Sequence, residues 1–211
     1  MHKFLCLLFI IFGTNHNSAQ KYTFDIGATY AAQYGEKNEN AIGYFNSKND
    51  QYYLALIERP HSYMGYLYDF TNRQIHQFNL IEVTEGETVD FKLQYVKTDR
   101  LRTNNQKEYQ KYVFDFTTIS ATDSLKTVRL QAYKNAKHKV PVMTYELKIK
   151  PNQTNLFHIF RETALHPFES LNTLNYPGGV VTSAIGHTLT GTRTSFRLEK
   201  LQKVTFEIQV P

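Results

Sequence analysis

The sequence predicts an all-β fold of ten to eleven mostly antiparallel strands, arranged as a β-sandwich or a half-open barrel. Several segments alternate apolar and polar residues with a period of two, which is typical of half-buried strands. The chain holds 15 Tyr and 15 Phe, whose broad rings pack well on a pleated sheet. Short polar turns separate these segments, which favours antiparallel neighbours. One short irregular or helical insertion near 160–176 interrupts the pattern.

The N-terminal residues have the pattern of a secretory signal peptide. Lys3 precedes an apolar run at 4–12 that is too short to cross a membrane as a helix, and a small residue, Ala19, lies at the expected cleavage site. We expect residues 1–19 to be removed on export. Residues 20–211 then form a single β-rich domain in the periplasm, at the cell surface or in the medium, since no linker or repeat divides them.

Cysteine usage and length agree with export to a bacterial envelope. The one cysteine, Cys6, lies inside the apolar run, so the exported chain contains no thiol. Such a protein has neither disulfides nor thiol catalysis and depends on its hydrophobic core. A chain of this length buries roughly 70% of its unfolded surface, which makes such a core feasible. No second apolar stretch reaches the length of a transmembrane helix.

The charge balance argues against a nucleic-acid-binding protein. A net charge of +5, from 24 basic and 19 acidic residues, favours solubility and only weak attraction to anionic surfaces. Basic residues gather at Lys97, Arg100, Arg102 and Lys107. We interpret this cluster as the tip of a long hairpin, which is either a solvated loop or a contact for phosphate, a lipid headgroup or an acidic polysaccharide.

The first half of the exported chain predicts strands in close succession. The first strand spans 22–30, a polar loop occupies 35–40, and the next strand spans 42–46. The segment 52–57 is apolar at every position, which predicts a central strand or one that is covered on both faces.

The middle of the chain predicts a bulged hairpin. Segments 66–70 and 75–83 flank the tight polar connection 71–73. The apolar residues of the second arm change phase, and a bulge near Gln77 restores it. The following segment, 88–97, alternates cleanly and predicts another strand.

The C-terminal half continues the strand pattern, with two exceptions. Further strands are predicted at 112–116, 128–132, 142–150 and 204–210.

The first exception begins at Asn155. The spacing of its apolar residues could support a short helix that Pro167 ends, or equally a strand followed by a loop. We favour a strand at 156–160, followed by a turn or a short helix. The second exception is 177–194, which is rich in Gly, Thr and Ser. We interpret it as a mobile loop or a weak hairpin.

The sequence carries no recognisable catalytic, cofactor-binding or metal-binding motif. Its eight histidines fall to six once His2 and His16 leave with the signal peptide, and no pair has metal-ligand spacing. The Gly-x-Ser-x-Gly nucleophile motif and a phosphate-binding loop are also missing. We therefore assign no catalytic residue, no metal and no cofactor. His158 and His166, which flank the irregular region, are the first candidates for a polar site.

Two carboxylates are further candidates for a polar site. Asp69 and Asp115 each precede a Phe and lie among aromatic residues in predicted strands. A carboxyl in such a position can be partly buried, with a shifted pKa. A pair of carboxylates is also what glycoside hydrolysis requires.

The leading functional hypothesis is an exported, non-catalytic β-protein that serves as a binding, carrier or envelope-interaction module. Its partner would be an apolar ligand or another envelope protein. Periplasmic carriers of lipids and lipidated proteins use half-open barrels of about this size, which is an analogy of architecture only. If the sheet encloses a cavity, its candidate lining residues are Phe91, Leu93, Tyr112, Phe114 and Phe116. Ordinary core packing explains the same residues.

Two alternatives remain open at this point. Alternating strands rich in Tyr and Phe are compatible with a small outer-membrane β-barrel, although many strands carry charges and 52–57 leaves no polar face. An exported hydrolase acting on glycans or lipids would need Asp69, Asp115 or the histidines to converge. Whether the protein is an enzyme is left undecided.

Overall fold

The computed structural model describes residues 19–60, 62–85, 88–101, 106–171, 174–176 and 178–211. Most of the predicted signal peptide lies outside them. The described elements are β1 (Gln20–Tyr34), β2 (Lys37–Asn46), β3 (Asn49–Arg59), β4 (Ser62–Asp69), β5 (Gln74–Glu85), β6 (Thr88–Arg100), α1 (Gln106–Tyr109), β7 (Val113–Ala121), β8 (Lys126–Tyr133), β9 (Met143–Lys150), α2 (Phe157–Ala164), β10 (Val180–His187) and β11 (Arg193–Val210).

All eleven strands belong to one antiparallel sheet, which confirms the predicted all-β class. The strand order is β6-β5-β4-β3-β2-β1-β11-β10-β9-β8-β7. Strands β1 to β6 therefore pair in the order of the sequence, and β11, the last strand, pairs with β1. The sheet is not closed, because β6 and β7 form its two edges. This arrangement fits a sandwich or a half-open barrel.

The predicted hairpins have the expected local chemistry. The 71–73 connection joins β4 to β5, and Arg73 adopts a positive φ of 56° in the turn. The β5–β6 register shifts between Gln77 and Phe78, where the bulge is predicted, but the extra residue is Val96 of β6, and β5 itself pairs regularly with β4. The predicted loop at 35–40 is shorter than expected, because Tyr34 pairs directly with Lys37. Gly35 makes this two-residue turn possible through its φ of 60°.

The strand predicted at 156–160 is wrong, because α2 occupies this segment. Phe157, Phe160 and Ala164 follow the spacing of a helical face, and every residue of α2 except Thr163 is buried. The segment packs as a helix against β2, β3 and β10 and does not join the sheet. The helix ends before Pro167, as expected for a residue that disfavours helix in front of it.

The segment predicted as a mobile loop or weak hairpin at 177–194 contains a well-paired strand. β10 pairs with β9 on one side and with the start of β11 on the other. Its small residues allow a close approach of β9, since a Cβ at Gly186 would lie 2.1 Å from the carbonyl oxygen of Thr144. The low apolar content thus reflects tight strand packing.

The basic cluster is not the tip of a hairpin. β6 pairs with β5 and β7 pairs with β8, so the connection after Arg100 links the two opposite edges of the sheet. Lys97 forms an exposed ion pair with Asp99, with 2.8 Å between Nζ and Oδ2. Arg102 and the side chain of Lys107 lie outside the described residues.

Two hydrophobic cores cover the sheet. The first core surrounds α2 and the segment after it, and it includes Phe45, Tyr53 and Leu147. The second core includes Leu54 and Leu67. Tyr53 and Leu54 are adjacent in β3 and therefore point to opposite faces, yet both are buried. This confirms the predicted cover on both faces at Tyr53 and Leu54, whereas Ile57 at the end of the run is exposed.

Candidate ligand-binding site

A cavity of about 850 Å³ lies beside the second core. β2 to β6 form one wall, and the C-terminal half of β11 forms the other. Its apolar lining consists of Ile42, Tyr44, Leu54, Leu56, Tyr63, Phe78, Leu80, Leu93, Tyr95, Val204, Phe206 and Ile208. Exposed polar side chains, among them Gln202, Thr205 and Gln209, also border it.

Strand register places these side chains on one face. Leu80 pairs across strands with both Tyr63 and Leu93, so the three residues form a row over β4, β5 and β6. The next row contains Phe78 and Tyr95, whose rings meet edge to face with centroids 6.0 Å apart. Phe78 and Leu80 share this face through the regular alternation of β5, and their partners Tyr95 and Leu93 alternate in the same way on β6.

The opposite wall exists because β10 is much shorter than β11. β10 pairs with β11 only over Arg193–Arg197, and the rest of β11 pairs with β1. The part of β11 that extends beyond β10 carries Phe206. Its ring stacks on Phe24, with centroids 4.9 Å apart, and meets Tyr44 edge to face at 5.1 Å. The aromatic contacts fix the wall in position.

The five residues predicted to line a cavity are divided between two regions. Leu93 lines the cavity. The side chain of Phe91 lies outside the described part of β6. Tyr112 and Phe114 pack against Phe168, each with ring centroids 5.2 Å apart, in the first core.

Phe116 likewise belongs to the first core. Its ring contacts Phe157 at 5.6 Å and Tyr176 at 5.3 Å. The aromatic face of β7 therefore packs against α2 and the segment that follows it, as ordinary core packing requires.

Asp69 is buried in a hydrogen-bonded network at the end of β4. Its carboxylate accepts hydrogen bonds from the Tyr22 hydroxyl at 2.5 Å and from the backbone and side-chain nitrogens of Asn72, both at 2.8 Å. Tyr22 Oη also lies 3.2 Å from Nε2 of His76. Burial, then the hydrogen bond to Asp69, raises the pKa of Tyr22, which keeps its hydroxyl a donor. The network closes the β4–β5 turn.

Asp115 has a different environment. Its side chain is exposed on β7 and accepts a hydrogen bond from Thr117 Oγ1 at 3.1 Å. In the strand order, β3, β2, β1, β11, β10, β9 and β8 lie between the strands of Asp69 and Asp115. The two carboxylates therefore do not share a site.

The two candidate histidines also have unlike surroundings. His158 is buried on α2, where burial and then the charge of Arg161 lower its pKa to about 4. His166 is exposed and pairs with Glu169, which raises its pKa. Among the described residues, no three His, Cys, Asp or Glu side chains converge as metal ligands.

Sequence reasoning missed a buried charged cluster on α2. The fully buried Arg161 donates hydrogen bonds from Nη2 to Asp50 Oδ2 at 2.9 Å and to Glu162 Oε1 at 3.1 Å. Burial raises the pKa of Glu162 well above its usual range, although Arg161 opposes this. The available signal was an Arg-Glu pair inside an otherwise apolar segment, where charges must be paired.

No known family model matches this sequence, and no curated protein matches it either. Within the described part of the chain, no helix has the length and apolar character needed to span a membrane.

Proposed function

We propose that this protein is an exported, non-catalytic carrier that binds a small apolar ligand between β2–β6 and the C-terminal half of β11. The observation that carries this proposal is the cavity of about 850 Å³ with its predominantly apolar lining. Pockets that bury small ligands usually measure about 300 to 1,000 Å³ and have mostly hydrophobic and aromatic walls.

The chemistry of the lining suits an amphiphile with one acyl chain. Leu54, Leu80 and Phe206 offer aliphatic and aromatic surface, and removing an acyl chain from water against such surface is favourable. Exposed Gln202 and Gln209 at the border leave a polar head group in contact with water.

The proposal includes export of residues 20–211. It is supported by the signal-peptide pattern of the N-terminal residues and by the lack of cysteine after Cys6. Expression of the full chain in a bacterial host tests this part. A mature protein that begins at Gln20 in the periplasm or medium is expected, whereas an uncleaved chain in the cytoplasm would contradict export.

Ligand binding is tested by native mass spectrometry of residues 20–211, exported and purified without detergent. We expect the protein to carry extra mass from a lipid-like molecule, or to bind added dodecanoate with one-to-one stoichiometry. In the Leu93→Glu variant, a carboxylate borders the cavity, and dodecanoate binding should weaken at least tenfold because of repulsion and lost apolar contact.

Val140→Glu is the matched control, because Val140 is 74% exposed and does not line the cavity. It should bind dodecanoate like the unmodified protein. A protein that is recovered at the mass of the polypeptide alone and does not bind added dodecanoate would contradict the carrier proposal. It would instead favour a module that contacts another envelope protein.

A further inference from the structure

The edge strand β7 is an open hydrogen-bonding surface. It pairs with β8 on one side, and the part of the chain that the structure describes supplies no strand on the other side. In an antiparallel sheet, alternate residues of such an edge direct their backbone N–H and C=O groups away from the paired neighbour. A further strand that added here would complete the hydrogen bonds of these groups.

The two edges of the sheet differ in the features that prevent such pairing. β6 carries exposed lysines at Lys92 and Lys97, and its extra residue Val96 interrupts the regular edge. Lysines and bulges are common protections of edge strands. The nine residues of β7 include no lysine, arginine or proline. The strand has a single charge, at Asp115, which accepts a hydrogen bond from Thr117 of the same strand. β7 therefore lacks the protection that β6 has.

β7 also presents apolar surface on both faces of the sheet. Val113 is 42% exposed and Ile119 is 46% exposed, and the alternation of the strand places both on the face opposite to the first core. On the inner face, Phe114 and Phe116 reach the first core but remain only half-buried. A second strand beside β7 would therefore cover apolar side chains on both faces.

The sequence of β7 is self-complementary in one antiparallel register. Two copies related by a two-fold axis at Phe116 place Val113 of each copy opposite Ile119 of the other. In the same register, Asp115 lies opposite Thr117, so no like charges meet. An axis at Asp115 would instead bring the two carboxylates together, and an axis at Thr117 would place Asp115 opposite Ile119. Charge and apolar pairing both favour the axis at Phe116.

We propose that β7 pairs with β7 of a second copy of this protein in this register, which joins the two sheets into one continuous antiparallel sheet. Backbone hydrogen bonds provide the association, and the two pairs of Val113 with Ile119 fix the register. A single pair of strands forms a small interface, so we expect a dissociation constant on the order of 1–100 µM. The dimer is independent of the proposed carrier function, because no residue of β7 lines the apolar cavity.

Sedimentation velocity of residues 20–211, at concentrations from about 1 to 300 µM, tests the proposal. We expect the average mass to rise from that of one chain toward that of two. Hydrogen exchange of the unmodified protein locates the contact, since the amides of 113–119 should exchange more slowly at the high concentration than at the low one. A protein that stays monomeric at about 300 µM, or concentration-dependent protection that leaves 113–119 unchanged, would refute the proposal.

Charge substitutions test the register. In the double variant Val113→Lys/Ile119→Lys, like charges lie opposite each other at two places, and the dissociation constant should rise at least about tenfold. In Val113→Lys/Ile119→Glu, opposite charges meet at the same places, and the dissociation constant should stay within about threefold of the unmodified value. Within one chain the two positions are about 20 Å apart along the strand, so the difference between the variants reports a contact between chains.

Ile185→Lys is the matched control, because Ile185 is 55% exposed on β10, which has a paired strand on each side. It adds the same charge and should dimerise like the unmodified protein. All the substituted side chains are exposed, so circular dichroism should show an unchanged fold. Equal dissociation constants for the two double variants would overturn the assigned register. An unchanged dissociation constant in Val113→Lys/Ile119→Lys would place the interface elsewhere and refute the proposal.

Discussion

Arg161 of α2 and Asp50 of β3 are 111 positions apart in the sequence, yet Nη2 of Arg161 donates a hydrogen bond to Oδ2 of Asp50 at 2.9 Å. Arg161 is fully buried, whereas the Asp50 side chain is 33% exposed. Burial alone would raise the pKa of Asp50, but hydrogen bonds from Arg161 and Gln51 and the charge of Arg161 outweigh it and lower the pKa. The pair fixes α2 against the sheet.

Removal of the buried guanidinium should destabilise the protein strongly. Arg161→Gln leaves Glu162 and Asp50 without their cation, and we expect the free energy of unfolding to fall by about 3–5 kcal/mol. Asp50→Asn keeps the exposed partner polar and should cost roughly 1–3 kcal/mol. Urea unfolding at pH 7 measures both, with the exposed Arg129→Gln as a control near zero. A loss below about 1 kcal/mol for Arg161→Gln would show that the ion pair contributes little.

His158 should make stability depend on pH. The ordinary pKa of its imidazole, 6.5, falls to about 4 in the folded protein, so the unfolded chain binds more protons between these two pH values. The stability contribution is fully present above about pH 6.5 and is lost as the pH falls toward 4, by up to about 3 kcal/mol.

Urea unfolding of the unmodified protein and of His158→Gln, at several pH values from 4 to 7.5, isolates this contribution. Glu162 acts in the opposite direction, because burial raises its pKa and its stability contribution declines as the pH rises. The difference between the two proteins removes that shared effect. We expect a shallower loss of stability below pH 6.5 in His158→Gln, and identical slopes would refute the role of His158.

Gly186 should tolerate no side chain. A Cβ there would lie 2.1 Å from the Thr144 carbonyl oxygen and 2.8 Å from the Tyr145 Cα, and backbone atoms cannot yield without breaking the β9–β10 pairing. Gly186→Ala should therefore cost several kcal/mol, on the order of other overpacked core sites.

Gly27→Ala is the matched control for this prediction. Its new Cβ would meet only side-chain atoms of Tyr44 and Gln202 at 3.3–3.4 Å, and these can move slightly. Thermal unfolding followed by circular dichroism compares the two variants. A midpoint for Gly186→Ala equal to that of Gly27→Ala would mean that the strands separate more easily than their packing indicates.

Local patterns predicted much of the sheet correctly. Tyr53 and Leu54 in the apolar run at 52–57 are buried on opposite faces of β3, and the β5–β6 register shifts beside Gln77, where the pattern predicts a bulge. The same reasoning favoured a strand where α2 lies, whose eight residues are too few for a clear helical period. It predicted only a loop or a weak hairpin for β10, whose small residues hide its burial. Of the five predicted cavity residues, Leu93 lines the apolar cavity, and Tyr112, Phe114 and Phe116 pack in the first core.

The sequence by itself determined the all-β class, most strands and the relative faces of the apolar residues within those strands, because these properties follow from a period of two over a few neighbours. Only the tertiary structure decided which faces meet. Pairings between distant segments place β6 and β7 at opposite edges of the sheet and leave most of β11 without β10 beside it. They also bring Asp50 to Arg161. Such pairings follow from the curvature and register of the whole sheet, which no local pattern encodes.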